Sequence, residues 1–208
     1  MAARRLPENF YLRDDVVRIA RELLGKVLCS RIDGSTCRVV IVETEAYAGE
    51  TDRASHAFGG RRTARTEPMY GPGGRAYVYL CYGIHHLFNV VTNRAGIPHA
   101  VLVRAGLPLA GHAALARRRG RDATDRALLD GPGKLAQALG ITTALSGASL
   151  RGGKLWLEDH GFEIEASAVA AGPRIGVDYA GADAARPYRF VATQPPAASL
   201  RSNRRVSR

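Results

Sequence analysis

Two acids separated by one residue close an apolar run. In Val42-Glu43-Thr44-Glu45-Ala46-Tyr47, Glu43, Glu45 and Tyr47 alternate, so on an extended strand all three share one face. Acids at a strand end are ordinarily solvated or paired with arginine. Held beside aromatic surface, such a carboxylate has a second use, as a general base that activates water. His56 lies in a polar stretch and reads as a loop hydrogen bonder, while His85 and His86 are adjacent and face opposite ways on a strand. No metal-ligand spacing joins these histidines to Glu45, and neither metal nor cofactor is expected. Tyr77, Tyr79 and Tyr82 interleave with Val78, Leu80 and Cys81. Such a run either packs a sheet or offers a surface on which an unpaired base stacks, and Tyr82, followed by Gly83, is placed to protrude. Asn89 stands among apolar residues and needs hydrogen bonds or a reading role. Arg104 ends Val101-Leu102-Val103, where Glu45 or a phosphate would serve as its partner. Arg61, Arg62 and Arg65, and Arg117-Arg118-Arg119, also read as solvated faces.

Elements must hold these residues in place. Residues 14–24 put Val16, Ile19, Ala20, Leu23 and Leu24 at helical spacing, with Asp14 or Asp15 as N-cap and Gly25 as stop. Residues 26–32 and 37–44 flank Asp33-Gly34 and predict a hairpin, with Glu45 and Tyr47 at the end of its second strand. Residues 49–74 are polar, rich in Gly and Arg and interrupted by Pro68 and Pro72, so no regular element is expected. Gly71-Pro72-Gly73-Gly74 lacks the lysine and helix of a phosphate loop and reads as a plain turn. Strands are expected at 76–82, 84–91 and 100–105, and helices at 111–119, 125–129 and 132–139, the last with proline in its first turn. Two short strands within 152–168 and a closing strand at 187–191 follow. Early strands and later helices predict an α+β fold: one domain over residues 1–208, with a curved antiparallel sheet and surrounding helices. About 1–10 and 198–208 read as flexible basic tails.

A chain of 208 residues fits one such domain. No apolar run reaches membrane-spanning length and the first residues lack a secretory pattern, so a soluble, cytoplasmic monomer is expected. Cys29, Cys37 and Cys81 are scattered and odd in number, which argues against a disulfide framework or a zinc ribbon. The net charge of +11 favours a polyanionic partner. Setting aside the six arginines of the two ends (Arg4, Arg5, Arg201, Arg204, Arg205 and Arg208) lowers +11 to +5, still basic. On these features alone the chain is a basic α+β domain with an acid and an aromatic cluster, which fits a non-catalytic nucleic-acid-binding module using an aromatic strand as well as it fits an enzyme.

An ordered series of motifs goes further. Val42-Glu43-Thr44-Glu45-Ala46-Tyr47 is followed by Ser55-His56, Tyr77-Val78-Tyr79, Tyr82-Gly83-Ile84-His85-His86, Phe88-Asn89-Val90 and Leu102-Val103-Arg104-Ala105. Gly131-Pro132-Gly133-Lys134-Leu135 and Arg174-Ile175-Gly176-Val177 complete it. The chain resembles the 3-methyladenine (alkyladenine) DNA glycosylases in their bacterial form, over roughly residues 16–191. The resemblance implies a monofunctional enzyme of base excision repair, acting on double-stranded DNA with damaged purines and associated with the nucleoid. It implies that Glu45 activates the attacking water, which Arg104 and the main-chain carbonyl of Ile175 also hold. Tyr47, His56 and Tyr79 would wall the pocket for the extruded base, with the main-chain amide of His56 on the purine edge. Asn89 would stand where a guanine amino group collides, and Tyr82 would fill the vacated place in the stack. Lys134, Arg61 and Arg62 are candidate DNA-backbone contacts. The only lysines, Lys26, Lys134 and Lys154, lie outside the pocket positions, so no Schiff-base step is expected. Two departures, Thr66 in place of a frequent asparagine and Val191 in place of a common aromatic, leave substrate range and the DNA-facing rim open.

Overall fold

The β-branched run that ends at Tyr47 becomes the longest strand of the computed structural model, which describes residues 3–198. Ahead of it come β1 (Arg4–Arg5), α1 (Glu8–Tyr11), α2 (Val16–Glu22) and β2 (Val27–Ile32); the long strand itself is β3 (Ser35–Tyr47). Asp15 caps α2 by accepting from the Arg18 amide at 2.9 Å, and Gly25 turns the chain away with a positive φ. Asp33 and Gly34 both adopt left-handed φ, the geometry a two-residue hairpin needs, so β2 pairs with β3 directly across the turn. The front segment expected to be a flexible tail contains β1 and α1; the back segment lies almost wholly outside the described residues.

β4 (Ala76–Cys81), β5 (His85–Thr92) and β6 (His99–Ala110) follow the long connection. Then come α3 (His112–Arg119) and α4 (Pro132–Leu139), and the short strands β7 (Arg151–Gly152), β8 (Leu155–Asp159), β9 (Phe162–Glu163), β10 (Val169–Gly172), β11 (Arg189–Ala192) and β12 (Ala197–Ala198). Ten strands form one open sheet in the order β1-β8-β2-β3-β6-β5-β4, with β7 on β8, β11 on β3 and β10 on β11; every pairing is antiparallel. The fold is the α+β class expected, weighted towards sheet. β9 and β12 pair separately. The β3–β6 register shifts around Ile41 to Thr44, and such bulges bend a strand and re-aim its side chains just before Glu45.

One face of the sheet carries the main core. Leu28, Val39, Ile41, Val101 and Val103 pack there with Ile19 and Leu23 from the α2 segment and Leu115 and Leu135 from α3 and α4. Thr44 fixes α2 to β3 by donating its hydroxyl to the Ala20 carbonyl at 2.7 Å. The helix expected at 125–129 does not form. Asp122 and Asp125 accept from the Thr124 and Ala127 amides and satisfy the backbone in local turns, while Asp130 bridges to Ala105 and pins the segment to β6. The connection 49–74 contains only three short 3-10 turns. It returns to β4 through Gly73, whose α-carbon is so near the Tyr11 carbonyl that a Cβ would stand 2.5 Å from that oxygen.

Candidate active site

Glu45 is fully buried, and each of its oxygens is engaged. Oε2 accepts from the Tyr47 hydroxyl at 2.9 Å and Oε1 from the Ile175 amide at 2.8 Å. Arg104 Nη1 lies 3.3 Å from Oε1, a longer contact, because the Arg104 Nε is committed to Glu43 at 2.9 Å. Burial, followed by the charge of Glu45, pushes the Tyr47 hydroxyl well above its ordinary value, so it stays protonated and donates. Ile175 reaches Glu45 because the segment between β10 and β11 is strapped across the end of β3. Its anchor is Arg174, which is buried, pairs through both terminal nitrogens with Asp52 and also donates to the Ala46 and Asp183 carbonyls. Burial would raise the Asp52 carboxyl, but bonds from Arg174 and the Ala48 and Ala54 amides more than offset it and leave it lowered.

In front of this carboxylate opens a cavity of about 240 Å³. Its lining includes Tyr47, His56, Tyr79, Tyr82, Asn89, Arg104 and Ile175, seven positions singled out in the sequence, now brought together from five separate segments. Glu45 itself lies one layer behind, covered by Tyr47, Arg104 and Ile175. The Tyr77 and Tyr79 rings stack at 5.5 Å, and His56 meets Tyr79 edge-on at 4.6 Å. Burial, then the charges of Arg65 and Arg61, push the His56 imidazole down to about 4. Arg65 lies 3.0 Å from Nε2 and 3.5 Å from Nδ1, against the ring rather than along either lone pair, and Nδ1 shares a hydrogen bond of 2.8 Å with the Tyr77 hydroxyl. Asn89 is buried and donates to the Tyr77 carbonyl at 3.1 Å. The structure gives Ile175 a second part, since its amide rather than its carbonyl contacts Glu45.

Tyr82 stands at the tip of the β4–β5 hairpin with 90% of its surface exposed. Tyr82 and Gly83 both have positive φ, and the Ile84 amide closes the turn on the Cys81 carbonyl at 3.1 Å. The candidate backbone contacts lie apart from the cavity floor. Lys134 is held by Asp130 at 2.6 Å, and Arg62 is forked onto Glu67, whereas Arg61 faces an open hollow beside His56, Arg65 and Tyr179. Among the described residues, no group of three or more His, Cys, Asp or Glu is arranged to hold a metal ion. No helix among them is long and apolar enough to cross a membrane.

The family model described as methylpurine-DNA glycosylase matches residues 9–196. The chain belongs to that family. Curated relatives within it include a protein of Methanocella arvoryzae, 45% identical over 95% of this chain and 96% of its own length. Another, from Chlamydia abortus, is 44% identical over 89% of this chain and 97% of its own, and one from Bacillus cereus is 45% identical over 88% and 93%. All three are named "Putative 3-methyladenine DNA glycosylase".

Several residues of this family member's site had no signal of their own in the sequence. Asp52 is an ordinary loop charge, and Arg174, though part of the Arg174-Ile175-Gly176-Val177 motif, has no role of its own until the fold joins the two across 122 positions. Tyr179, 69% exposed, lines the cavity and donates to the Ala54 carbonyl at 3.1 Å. Arg189 donates to Glu43 at 2.6 Å.

Proposed function

We propose that this chain is a monofunctional DNA glycosylase that extrudes alkylated or deaminated purines, of the 3-methyladenine and hypoxanthine type, from double-stranded DNA. It hydrolyses their N-glycosidic bond and leaves an abasic site. The observation that carries this reading is the buried Glu45, set by Tyr47, Ile175 and Arg104 directly behind an aromatic cavity sized for one base. A carboxylate in that place stabilises the positive charge that grows on the sugar as the bond breaks, and takes a proton from the attacking water. Water reaches it by a small displacement of Ile175, 51% exposed, whose amide covers Oε1.

The extruded purine lies between Tyr47 and the His56–Tyr79 side, with the exposed Tyr82 entering the duplex in its place. Asn89, held by its bond to the Tyr77 carbonyl, limits the room beside the purine edge and so disfavours guanine. A cationic alkylpurine departs without a proton, and the three lysines of the chain stand outside the cavity lining, in keeping with hydrolysis rather than imine chemistry. The test is release of 3-methyladenine and hypoxanthine from duplex DNA under single-turnover conditions by wild type and Glu45→Gln. The variant is expected to lose at least about 100-fold in rate, the scale of general-base and electrostatic contributions combined. Equal rates would remove Glu45 from the mechanism, and binding without release by the wild type would leave a nucleic-acid-binding module instead.

A further inference from the structure

We infer that Glu43 and Arg189 are positioning residues that set the direction and the net charge of the Arg104 guanidinium at Glu45. The inference rests on the reading of Glu45 as the base. Four alternating charges run across one face of the sheet: Arg189, Glu43, Arg104 and Glu45. Arg189 Nε and Arg104 Nε both donate to the same oxygen of Glu43, at 2.6 and 2.9 Å, and Arg104 then reaches Glu45 through one terminal nitrogen at 3.3 Å. All four are largely shielded from water, with Glu45 completely so. β11 delivers Arg189 opposite Glu45 in the strand register, and β6 delivers Arg104.

An arginine left alone beside a carboxylate takes it with two parallel bonds near 2.8 Å. Arg104 does not: Glu43 holds its Nε and so fixes the direction of the guanidinium, which meets Glu45 through a single terminal nitrogen. The consequence is an arginine near enough to orient a water yet not clamped on the base. The chain of two cations and two anions is also neutral as a set. Neutralising Glu43 alone would leave one uncompensated cation in a low-dielectric site, next to a carboxylate that must take a proton and a sugar that must become positive. The other groups facing Glu45 are Tyr47, which is protonated, and Arg174, whose charge is matched by Asp52.

The experiment is the pH–rate profile of single-turnover excision of 3-methyladenine, whose departure needs no general acid, with Glu43→Gln and Arg189→Met. Glu43→Gln is expected to slow excision by about 10- to 100-fold, with the Kd for lesion duplex changed by less than about threefold. Its acid limb should move to lower pH, because the added net positive charge favours ionised Glu45. Arg189→Met removes a cation and should move the limb to higher pH. Opposite displacements are the signature of charge setting; a purely structural role lowers the plateau and moves neither limb. Unmoved limbs in both variants, or excision by Glu43→Gln within threefold of wild type, would overturn the inference. Should Glu43→Gln not fold, the direction of the Arg189→Met limb decides alone. Glu45→Gln run alongside separates the two failures: if it retains activity, the base assignment falls, and if it is inactive while Glu43→Gln is normal, only the positioning role falls.

Discussion

His56 shows how much of this site is decided by single hydrogen bonds. Its neutral ring shares a hydrogen bond between Nδ1 and the Tyr77 hydroxyl, and a positive charge on the ring would lie directly against the Arg65 guanidinium. The unfolded chain takes up the charging proton near the ordinary value of 6.5, whereas the folded chain resists it until about 4. A depressed folded value contributes stability that is complete above pH 6.5 and is lost as pH falls through that window towards 4. Melting temperatures at pH 7.5 and 4.5 for wild type and His56→Gln should therefore differ in slope, with the smaller acid loss in the variant. Asp52 also responds to acid, but it does so in both proteins and cancels in the comparison. Equal slopes would mean that His56 is charged in the folded state. None of this was legible in the sequence, where an isolated His56 read as a loop hydrogen bonder, because its partners Arg65 and Tyr77 are set by the return of the connection onto β4.

At the scale of elements, the wedge role proposed for the hairpin tip sets stability against use. Tyr82 holds a left-handed φ that costs an L-residue about 1–2 kcal/mol, partly offset in a Gly variant by about 0.5–1 kcal/mol of extra unfolded-state freedom. Tyr82→Gly is therefore expected to be more stable by about 0.5–1 kcal/mol. Its preference for lesion over undamaged duplex should fall, since nothing then fills the stack. Paired Kd measurements on the two duplexes with a thermal melt check both halves, and an equal loss on both duplexes would exclude a wedge. This hairpin, like the one at Asp33-Gly34, was readable because its turn and alternation are local. The helix at α4 was readable from Gly131-Pro132, with proline in its first turn, for the same reason, and Gly140 ends it with a left-handed φ. The segment at 125–129 misled because Asp122 and Asp125 close turns with their own side chains, a use that a helix reading leaves out. The strap from Arg174 to Arg189 was the least legible element. Its contacts with Asp52, Glu45 and Glu43 span 122 to 146 positions, and no local pattern matches one buried charge to another across such distances.

For the whole molecule the question is which of its many cations meet DNA. Net charge alone predicts attraction to a polyanion without saying where it acts. The fold sorts the candidates. Lys134 and Arg62 are already paired with Asp130 and Glu67, so moving either onto a phosphate exposes a carboxylate and releases less counterion in net. Arg61 has no carboxylate partner among the described residues and opens, with Arg53 and Arg65, onto the hollow that adjoins the aromatic cavity through Ser55, His56 and Tyr179. Each phosphate neutralised contributes about 0.9 to the slope of log affinity against log salt. Binding of an undamaged duplex, followed by fluorescence anisotropy from 50 to 200 mM salt (about the range in which such slopes are read), should show Arg61→Ala lowering that slope by about 0.9. Arg62→Ala and Lys134→Ala should lower it distinctly less. Excision at saturating enzyme should change little with salt in all three, because Glu45 is fully buried behind the cavity wall, where mobile ions do not screen it. Three equal slope changes would place the duplex over α4 and the Arg62 turn as firmly as over the hollow, and would make the internal ion pairs irrelevant to the path of the DNA.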